Sequence, residues 1–173
     1  MRGQTDIIDP SEIDLNNVIA DIEEIRKYNP QRYDMEQLTA VVYEDAERGI
    51  CAGYSDLTRE EFWVQGHMPG MPLMPGVMML EAAAQLSSYL VQKHDPRQTR
   101  MVALGGFDDV RFRDPVIPGD RLVMVTQRVK HSPNRMMICR FQGFVRNTLC
   151  VEGRIRGISM PDDFLDALMQ QKI

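Results

Sequence analysis

Several features that define large classes of proteins are missing from this sequence of 173 residues. The sequence has no run of about 18 apolar residues, the length that a helix needs to cross a bilayer. Its first residues turn acidic and lack the apolar stretch of a secretory signal. Only three cysteines occur, Cys51, Cys139 and Cys150, and they have neither CxxC nor metal-ligand spacing. We therefore expect reduced thiols, no metal site, no membrane span and a location in the cytoplasm.

Basic residues are fewer than acidic ones, 20 against 25, and they are unevenly distributed. The net charge is −5, which argues against binding to nucleic acid because such binding needs many unopposed cations. Residues 1–66 carry 15 acidic and 6 basic residues, whereas residues 97–156 carry 5 acidic and 12 basic residues, nearly all arginine. We interpret the basic stretch either as the solvated outer face of strands or as a surface for an acidic partner.

The hydrophobic pattern predicts one α+β domain, with one long buried helix and an antiparallel sheet. A first helix is predicted from Asp9, its cap, to Asn29, where Pro30 ends it. The long helix is predicted over 76–93 and is apolar nearly all round in its first half. Strands are predicted near 36–44, 49–57, 101–112, 121–131, 135–146 and 149–160, and a short terminal helix over 162–171.

Two ionisable residues lie where charge is costly. His67 lies in a loop rich in glycine and proline, residues 62–75, and Glu81 lies one and a half turns into the apolar helix. A carboxyl group in an apolar site has a raised pKa and becomes a proton donor near neutral pH. Gln85 shares a helix face with Glu81 and is placed to orient its carboxyl. Each residue alone also fits a structural role, but together His67 and Glu81 are candidates for a general acid–base pair.

The start of the long helix is a candidate site for an oxyanion. Gly76 and Val77 follow Pro75, so their N–H groups have no partner within the helix and lie at its positive end. Gly76 has no side chain, which lets a carbonyl group approach its N–H closely. A base, an acid and an oxyanion donor together suit removal of a proton next to a thioester carbonyl with loss of a β leaving group.

The segment GHMPGMPLMPGVMMLEAAAQ, residues 66–85, resembles the signature of the FabZ-type 3-hydroxyacyl-[acyl-carrier-protein] dehydratases of bacterial fatty-acid synthesis. Residues 106–120, GFDDVRFRDPVIPGD, are similar to a second motif of that family, and residues 30–33 to a third, weaker one. The resemblance covers residues 20–160. It leaves residues 1–19 as an N-terminal extension and residues 161–173 as a short C-terminal helix.

The resemblance implies a hotdog fold, in which a curved antiparallel sheet wraps a long central helix. It also implies a homodimer, often part of a trimer of dimers, with each active site between two chains. His67 of one chain would remove the C2 proton of a (3R)-hydroxyacyl chain on acyl carrier protein, and Glu81 of the other would protonate the departing hydroxyl. The N–H groups of Gly76 and Val77 would hold the thioester oxygen. The product would be a trans-2-enoyl thioester, and no metal or redox cofactor would be needed.

Some residues depart from the family pattern or have an open role. Gln31 stands where the family has histidine, and Met68 stands where it has phenylalanine. Arg111 and Arg113 fall in the second motif and are hypothesised to dock the acidic carrier. The methionines of the first motif are interpreted as packing residues or, alternatively, as the lining of an acyl tunnel; they are Met68, Met71, Met74, Met78 and Met79.

Two other functions remain as alternatives to a dehydratase. One is a hotdog thioesterase, in which Glu81 would activate water to attack the thioester. The loop around His67 argues against it. The other is a catalytically silent module that binds an acyl carrier protein, for which loss of His67 or Glu81 would be the expected signature. Neither residue is lost, but the divergence of the N-terminal third keeps this alternative open.

Overall fold

A computed structural model of the chain describes residues 6–94, 101–132 and 135–170. Six strands form one antiparallel sheet in the order β1-β2-β4-β5-β6-β3. They are β1 (Ala40–Asp45), β2 (Ile50–Asp56), β3 (Val102–Phe112), β4 (Arg121–Ser132), β5 (Met136–Val145) and β6 (Thr148–Ser159). The helices are α1 (Ile22–Ile25), α2 (Gly76–Lys93) and α3 (Asp162–Gln170). The sheet and α2 confirm the α+β hotdog arrangement. None of the helices in the described ranges has the length and apolar character to cross a membrane.

The long helix α2 is the centre of the main hydrophobic core. Its Leu86 and Tyr89 are fully buried, and the helix packs mainly on β4 and β2. Polar side chains of its second half are buried as well, and they have partners: Ser87 Oγ lies 2.8 Å from Thr126 Oγ1 of β4. A hydroxyl group is buried at little cost only with such a partner. The helix is therefore buried further along its length than its apolar pattern predicts.

A charged cluster joins the end of α2 to β1. Lys93 Nζ donates to both carboxylate oxygens of Glu44, at 2.8 and 2.9 Å, and the Tyr89 hydroxyl donates to Glu44 Oε1 at 2.7 Å. Burial, followed by the hydrogen bond to the Glu44 carboxylate, raises the pKa of Tyr89, so the phenol keeps its proton. The cluster anchors the last turn of the helix on the edge of the sheet.

The long helix predicted from Asp9 to Asn29 is wrong. The Asp9 carboxylate does accept from the Ser11 N–H at 2.9 Å, but the turn that it caps is a 3-10 helix of three residues, and α1 has only four. Between them the Ala20 N–H donates to Val41 O, and the Val41 N–H donates back to Ala20 O. Pairing with the edge of β1 replaces helical hydrogen bonds here, because tertiary contacts override a weak local propensity.

Residues 7–15 cover the outer face of the sheet, opposite α2. Alternate residues of a strand point to opposite faces, and in β1 Val41 packs in the core of α2 whereas Ala40 and Val42 pack with Ile7 and Ile13. The Ile7 N–H also donates to the buried Gln142 Oε1 at 2.8 Å. The described part of the N-terminal extension therefore belongs to the folded body.

The two edges of the sheet differ in their cover. Residues 19 and 20 border β1, whereas β3 pairs with β6 and has no second neighbour among the described residues. None of the 11 residues of β3 is fully buried. A long edge strand with unpaired backbone groups is a ready site for pairing with another chain. The backbone groups along the outer edge of β3 are therefore left without a strand partner in the described part of the chain.

We expect Ile13→Ala to lower the free energy of unfolding by about 2 kcal/mol, because the truncated side chain is only 6% exposed on the outer face. Urea denaturation followed by circular dichroism measures the change. Ile19→Ala is the matched control, since that side chain is 40% exposed and loses little burial. Equal losses in the two variants would show that residues 7–15 do not pack on the sheet.

Candidate active site

The loop before α2 holds the imidazole of His67 in one orientation. His67 Nδ1 lies 2.9 Å from the carbonyl oxygen of Leu73, and the Leu73 N–H donates to the carbonyl of His67 at 2.8 Å. A carbonyl oxygen only accepts hydrogen bonds, so Nδ1 carries the proton of the neutral ring and Nε2 has a free lone pair. The side chain is half-buried. Its Nε2 is therefore available as a base.

The first two N–H groups of α2 are free, as the sequence predicts. The first hydrogen bonds of the helix are those from Met78 and Met79 to Pro75 O, and within the described residues Gly76 and Val77 donate to no partner. No side chain caps this end. Unpaired amides at the positive end of a helix suit an oxygen that gains negative charge.

Phe112, at the end of β3, explains a second requirement for glycine at position 76. A Cβ atom at Gly76 would lie 2.7 Å from two atoms of the Phe112 ring. The ring therefore occupies the space beside the Gly76 Cα, although 53% of the Phe112 surface is exposed. Sequence reasoning missed this contact, and the only signal was the place of Phe112 in the second motif.

His67 and the start of α2 line a cavity of about 530 Å³. Most of its wall is apolar and comes from the loop, from α2 and from the segment after β3. Its ionisable members are His67, Arg113 and Asp114. The other lining residues are Leu73, Met74, Gly76, Val77, Met79, Leu80, Phe112, Pro115 and Val116. An apolar cavity with a few polar groups is the usual form of a site for a small organic substrate.

A hydrogen-bonded amide orients the carboxyl group of Glu81. Gln85 Oε1 accepts from the Gln37 N–H at 2.9 Å, so the NH2 group of Gln85 points the other way. That NH2 group donates to Glu81 Oε1 at 2.8 Å and to Met35 O at 2.6 Å. The first of these is the contact that the four-residue spacing predicts. Because Oε1 accepts from an amide, the proton of the acid form belongs on Oε2.

Glu81 lines a second, narrower cavity of about 70 Å³ between α2 and the sheet. Pro30 and Gln31 lie at its wall, and Ala84 and Ser88 continue the helix side. The sheet side consists of Val102, Ala103, Leu104, Met137, Ile155 and Gly157. This cavity shares no lining residue with the cavity of His67. Within one chain, His67 and Glu81 therefore line two separate cavities.

The methionines proposed for an acyl tunnel occupy different environments. Met74 lines the cavity of His67, and Met78 is buried in the core. Met68 and Met71 are 47% and 60% exposed and line neither cavity. The methionine in the cavity of Glu81 is Met137 of β5. It lies outside both motifs, and no pattern in the sequence marked it.

Many arginines of the basic stretch are paired with carboxylates. Arg113 Nε donates to Glu152 Oε1 at 2.9 Å, and the Glu152 side chain is only 3% exposed. Arg113 thus compensates a buried charge besides any role in docking, whereas Arg111 is exposed on β3. Further ion pairs join Arg121 to Asp56, Arg146 to Asp120 and Arg156 to Asp108.

The cysteines and acidic groups form no further reactive site in the described ranges. All three cysteines are free and buried, and burial raises the pKa of Cys139 to about 11. Thiols with raised pKa values are poor nucleophiles and metal ligands. Among the residues that the structure describes, no three His, Cys, Asp or Glu side chains could together hold a metal ion.

Comparison with known proteins first defines the structural class of this chain. Residues 29–154 match the family model of the FabA-like domain. A chain of the dehydratase heterocomplex ApeI:P from Xenorhabdus doucetiae superposes with a TM-score of 0.69 at 16% identity, over 85% of this chain and 97% of that one. The PaaI protein of E. coli, from the phenylacetic acid degradation operon, gives 0.53 at 13% identity, over 68% and 80%. These likenesses show the hotdog fold.

The sequence relatives define the family within this class. The 3-hydroxyacyl-[acyl-carrier-protein] dehydratase FabZ of Sorangium cellulosum is 35% identical over 140 residues, which cover 80% of this chain and 89% of that protein. FabZ of Lawsonia intracellularis is 36% identical over 135 residues, which cover 76% and 86%. This chain belongs to the FabZ family of 3-hydroxyacyl-[acyl-carrier-protein] dehydratases, as the motif of residues 66–85 predicts.

We expect Gly76→Ala to lower the free energy of unfolding by about 1–3 kcal/mol, because the added methyl group overlaps the Phe112 ring. In a Phe112→Ala background the same change should be neutral or stabilising by up to about 1 kcal/mol, since alanine is the better helix residue. Chemical denaturation of the four proteins measures this coupling. The same loss in both backgrounds would contradict the packing of Phe112 on α2.

Proposed function

We propose that two copies of this chain form each active site, with His67 as the base and Glu81 as the acid. Membership of the family makes the chain a 3-hydroxyacyl-[acyl-carrier-protein] dehydratase, a hydro-lyase of fatty-acid synthesis. One observation carries the assignment of the residues: their hydrogen bonds leave one of them with a free lone pair and the other with an oxygen that can carry a proton. Leu73 O leaves His67 Nε2 with a lone pair, and Gln85 leaves Glu81 Oε2 as the proton carrier.

The two groups act on neighbouring carbons of a (3R)-hydroxyacyl thioester. His67 Nε2 removes the C2 proton, and the electron pair of the C–H bond forms the C2–C3 double bond. The C3–O bond breaks as Glu81 Oε2 protonates the departing hydroxyl, so the products are water and a trans-2-enoyl thioester. The N–H groups of Gly76 and Val77 stabilise the charge that develops on the thioester oxygen. No step uses a metal or a redox cofactor.

The positions of the two cavities along β3 support a site shared between chains. The cavity of Glu81 lies at the start of the strand, beside Val102 and Leu104, and the cavity of His67 lies at its end, beside Phe112. If two β3 edges pair about a two-fold axis normal to the sheet, the strands run antiparallel. The start of one then faces the end of the other. Such a dimer would bring each Glu81 towards the partner's His67.

The basic residues near the His67 cavity support binding of an acidic carrier. Arg113 lines that cavity and keeps 38% of its side chain exposed while it pairs with Glu152. An arginine at this place suits the phosphate group of the phosphopantetheine arm, because guanidinium binds phosphate with two parallel hydrogen bonds. Arg111, two residues earlier on β3, is exposed and would contact the carrier protein itself.

We expect the purified protein to convert 3-hydroxyacyl thioesters to enoyl thioesters, followed by the ultraviolet absorbance of the product beside a free-thiol assay. His67→Ala and Glu81→Gln should each lower the rate by roughly 10²–10⁴-fold, because each removes a proton transfer. Glu47→Gln, in the exposed turn between β1 and β2, is the control and should leave the rate unchanged. Thiol release without enoyl product would identify a thioesterase, and binding without either signal a silent module.

Subunit exchange tests the shared site separately. His67→Ala and Glu81→Gln should each have very low activity as homodimers, whereas on the shared-site proposal a mixed dimer has one site with both native groups. Equal mixing should therefore restore roughly a quarter of the wild-type activity, since half of the dimers are mixed and each has one intact site. Native mass spectrometry of the two variants, one carrying a mass tag, verifies the exchange. Mixed dimers without activity would place His67 and Glu81 of one site in one chain.

A further inference from the structure

Gln31, which stands where the family has histidine, contacts the carboxyl group of Glu81. Gln31 Nε2 lies 3.4 Å from Glu81 Oε1, the oxygen that also accepts from Gln85 at 2.8 Å. Gln31 lines the cavity of Glu81 on one side and a much smaller cavity on the other. It is therefore part of the wall behind the proposed acid.

Hydrogen bonds hold the chain on both sides of Gln31, one of them to α2 and the others within residues 29–32. Asn29 Nδ2 donates to the carbonyl oxygen of Gln85 at 3.0 Å. The Arg32 guanidinium donates to Asn29 O at 2.8 Å and to Gln31 O at 2.6 Å. With the backbone held in this way, the direction of the Gln31 amide depends on the rotation of its own side chain.

Two buried oxygen atoms in this wall are acceptors without a donor. Because Nδ2 of Asn29 and Nε2 of Gln31 donate to oxygens, the Asn29 Oδ1 and Gln31 Oε1 atoms point away from those contacts. Both are buried, and neither has a hydrogen-bond partner in the described part of the chain. Buried acceptors without a partner are rare in proteins, because they lose their bonds to water.

Asn29 and Gln31 both line the smaller cavity, which has a volume of about 10 Å³. That is about the space that one water molecule needs, and a buried water also needs polar partners. Arg26 lines the same cavity, but its Nε and NH2 groups donate to the Glu36 carboxylate at 2.6 and 2.8 Å. The guanidinium is therefore engaged elsewhere.

We infer that a buried water molecule bridges Asn29 Oδ1 and Gln31 Oε1 and makes Gln31 a positioning residue for Glu81. The water donates one hydrogen to each oxygen. The bridge keeps the NH2 group of Gln31 towards Glu81 Oε1 and opposes a flip that would place Oε1 against the carboxyl. Two amide donors on Oε1 then direct Oε2 towards the departing hydroxyl. The inference rests on the proposed role of Glu81 as the acid.

Kinetics of Gln31→Met with a carrier-linked 3-hydroxyacyl substrate test the positioning role. Methionine fills a similar volume without a donor, so kcat should fall roughly tenfold while KM stays within about twofold, because the acid and not substrate binding is affected. Gln31→His should keep most of the wild-type kcat, since an imidazole N–H can donate to Glu81 Oε1. An unchanged kcat in Gln31→Met, or equal losses in both variants, would overturn the positioning role.

Gln92→Met is the matched control for the loss of a buried amide. Gln92 Nε2 donates to Tyr28 O at 2.8 Å and lies 3.4 Å from Ser88 Oγ, and it has no contact with Glu81 among its hydrogen bonds in the described residues. We expect this variant to be less stable to urea while its kcat stays that of the wild type. If Gln92→Met lost as much kcat as Gln31→Met, both losses would reflect a general loosening of the fold. That result would overturn the positioning role.

A high-resolution crystal structure of the wild-type protein tests the water directly. A water within about 2.7–3.2 Å of both Asn29 Oδ1 and Gln31 Oε1 supports the bridge, as does its loss in a crystal structure of Gln31→Met. Density for no water, or for a water bound to only one oxygen, would overturn it. This result does not depend on turnover, whereas failure of the proposed function would show as a wild-type protein that forms no enoyl product.

Discussion

The buried side chain of Gln85 is the contact on which both the packing of α2 and the orientation of Glu81 depend. It is only 2% exposed, and its amide binds the Gln37 N–H, Met35 O and Glu81 Oε1. These bonds hold the segment before β1 against α2 and decide which oxygen of Glu81 is left for the proton. A buried polar network of this kind is most stable when its members are all paired. The orientation of the Glu81 carboxyl therefore depends on the docking of a segment that is distant in sequence.

The cover of the sheet leaves one long edge open between the two cavities. Residues 7–15 shield its outer face, α2 fills its inner face, and residues 19 and 20 border β1. The long edge of β3 is the part without a neighbour in the described chain, and each end of this strand borders one cavity. The unpaired edge of β3 thus lies between the proposed base and the proposed acid.

Regular elements were predictable where the local pattern and the tertiary environment agree. The long helix runs from Gly76 to Lys93 as predicted, because its glycine and proline start, apolar faces and polar end all indicate the same element. The six strands were also placed to within a few residues. The region from Asp9 to Asn29 failed, although it has helical spacing and a good cap. Its backbone makes sheet and turn contacts instead, which depend on residues such as Val41 that are distant along the chain.

By itself the sequence determined the hotdog fold and the family, since these depend on short motifs and on periodicity within single elements, and it singled out His67 and Glu81 as the proposed base and acid. It also predicted the bond between Gln85 and Glu81, because helical spacing is local. Only the tertiary structure decided that His67 and Glu81 lie in separate cavities, that Phe112 packs on Gly76 and that Gln31 contacts the Glu81 carboxyl. These contacts join segments far apart in the chain, and their geometry arises only when the sheet closes around α2.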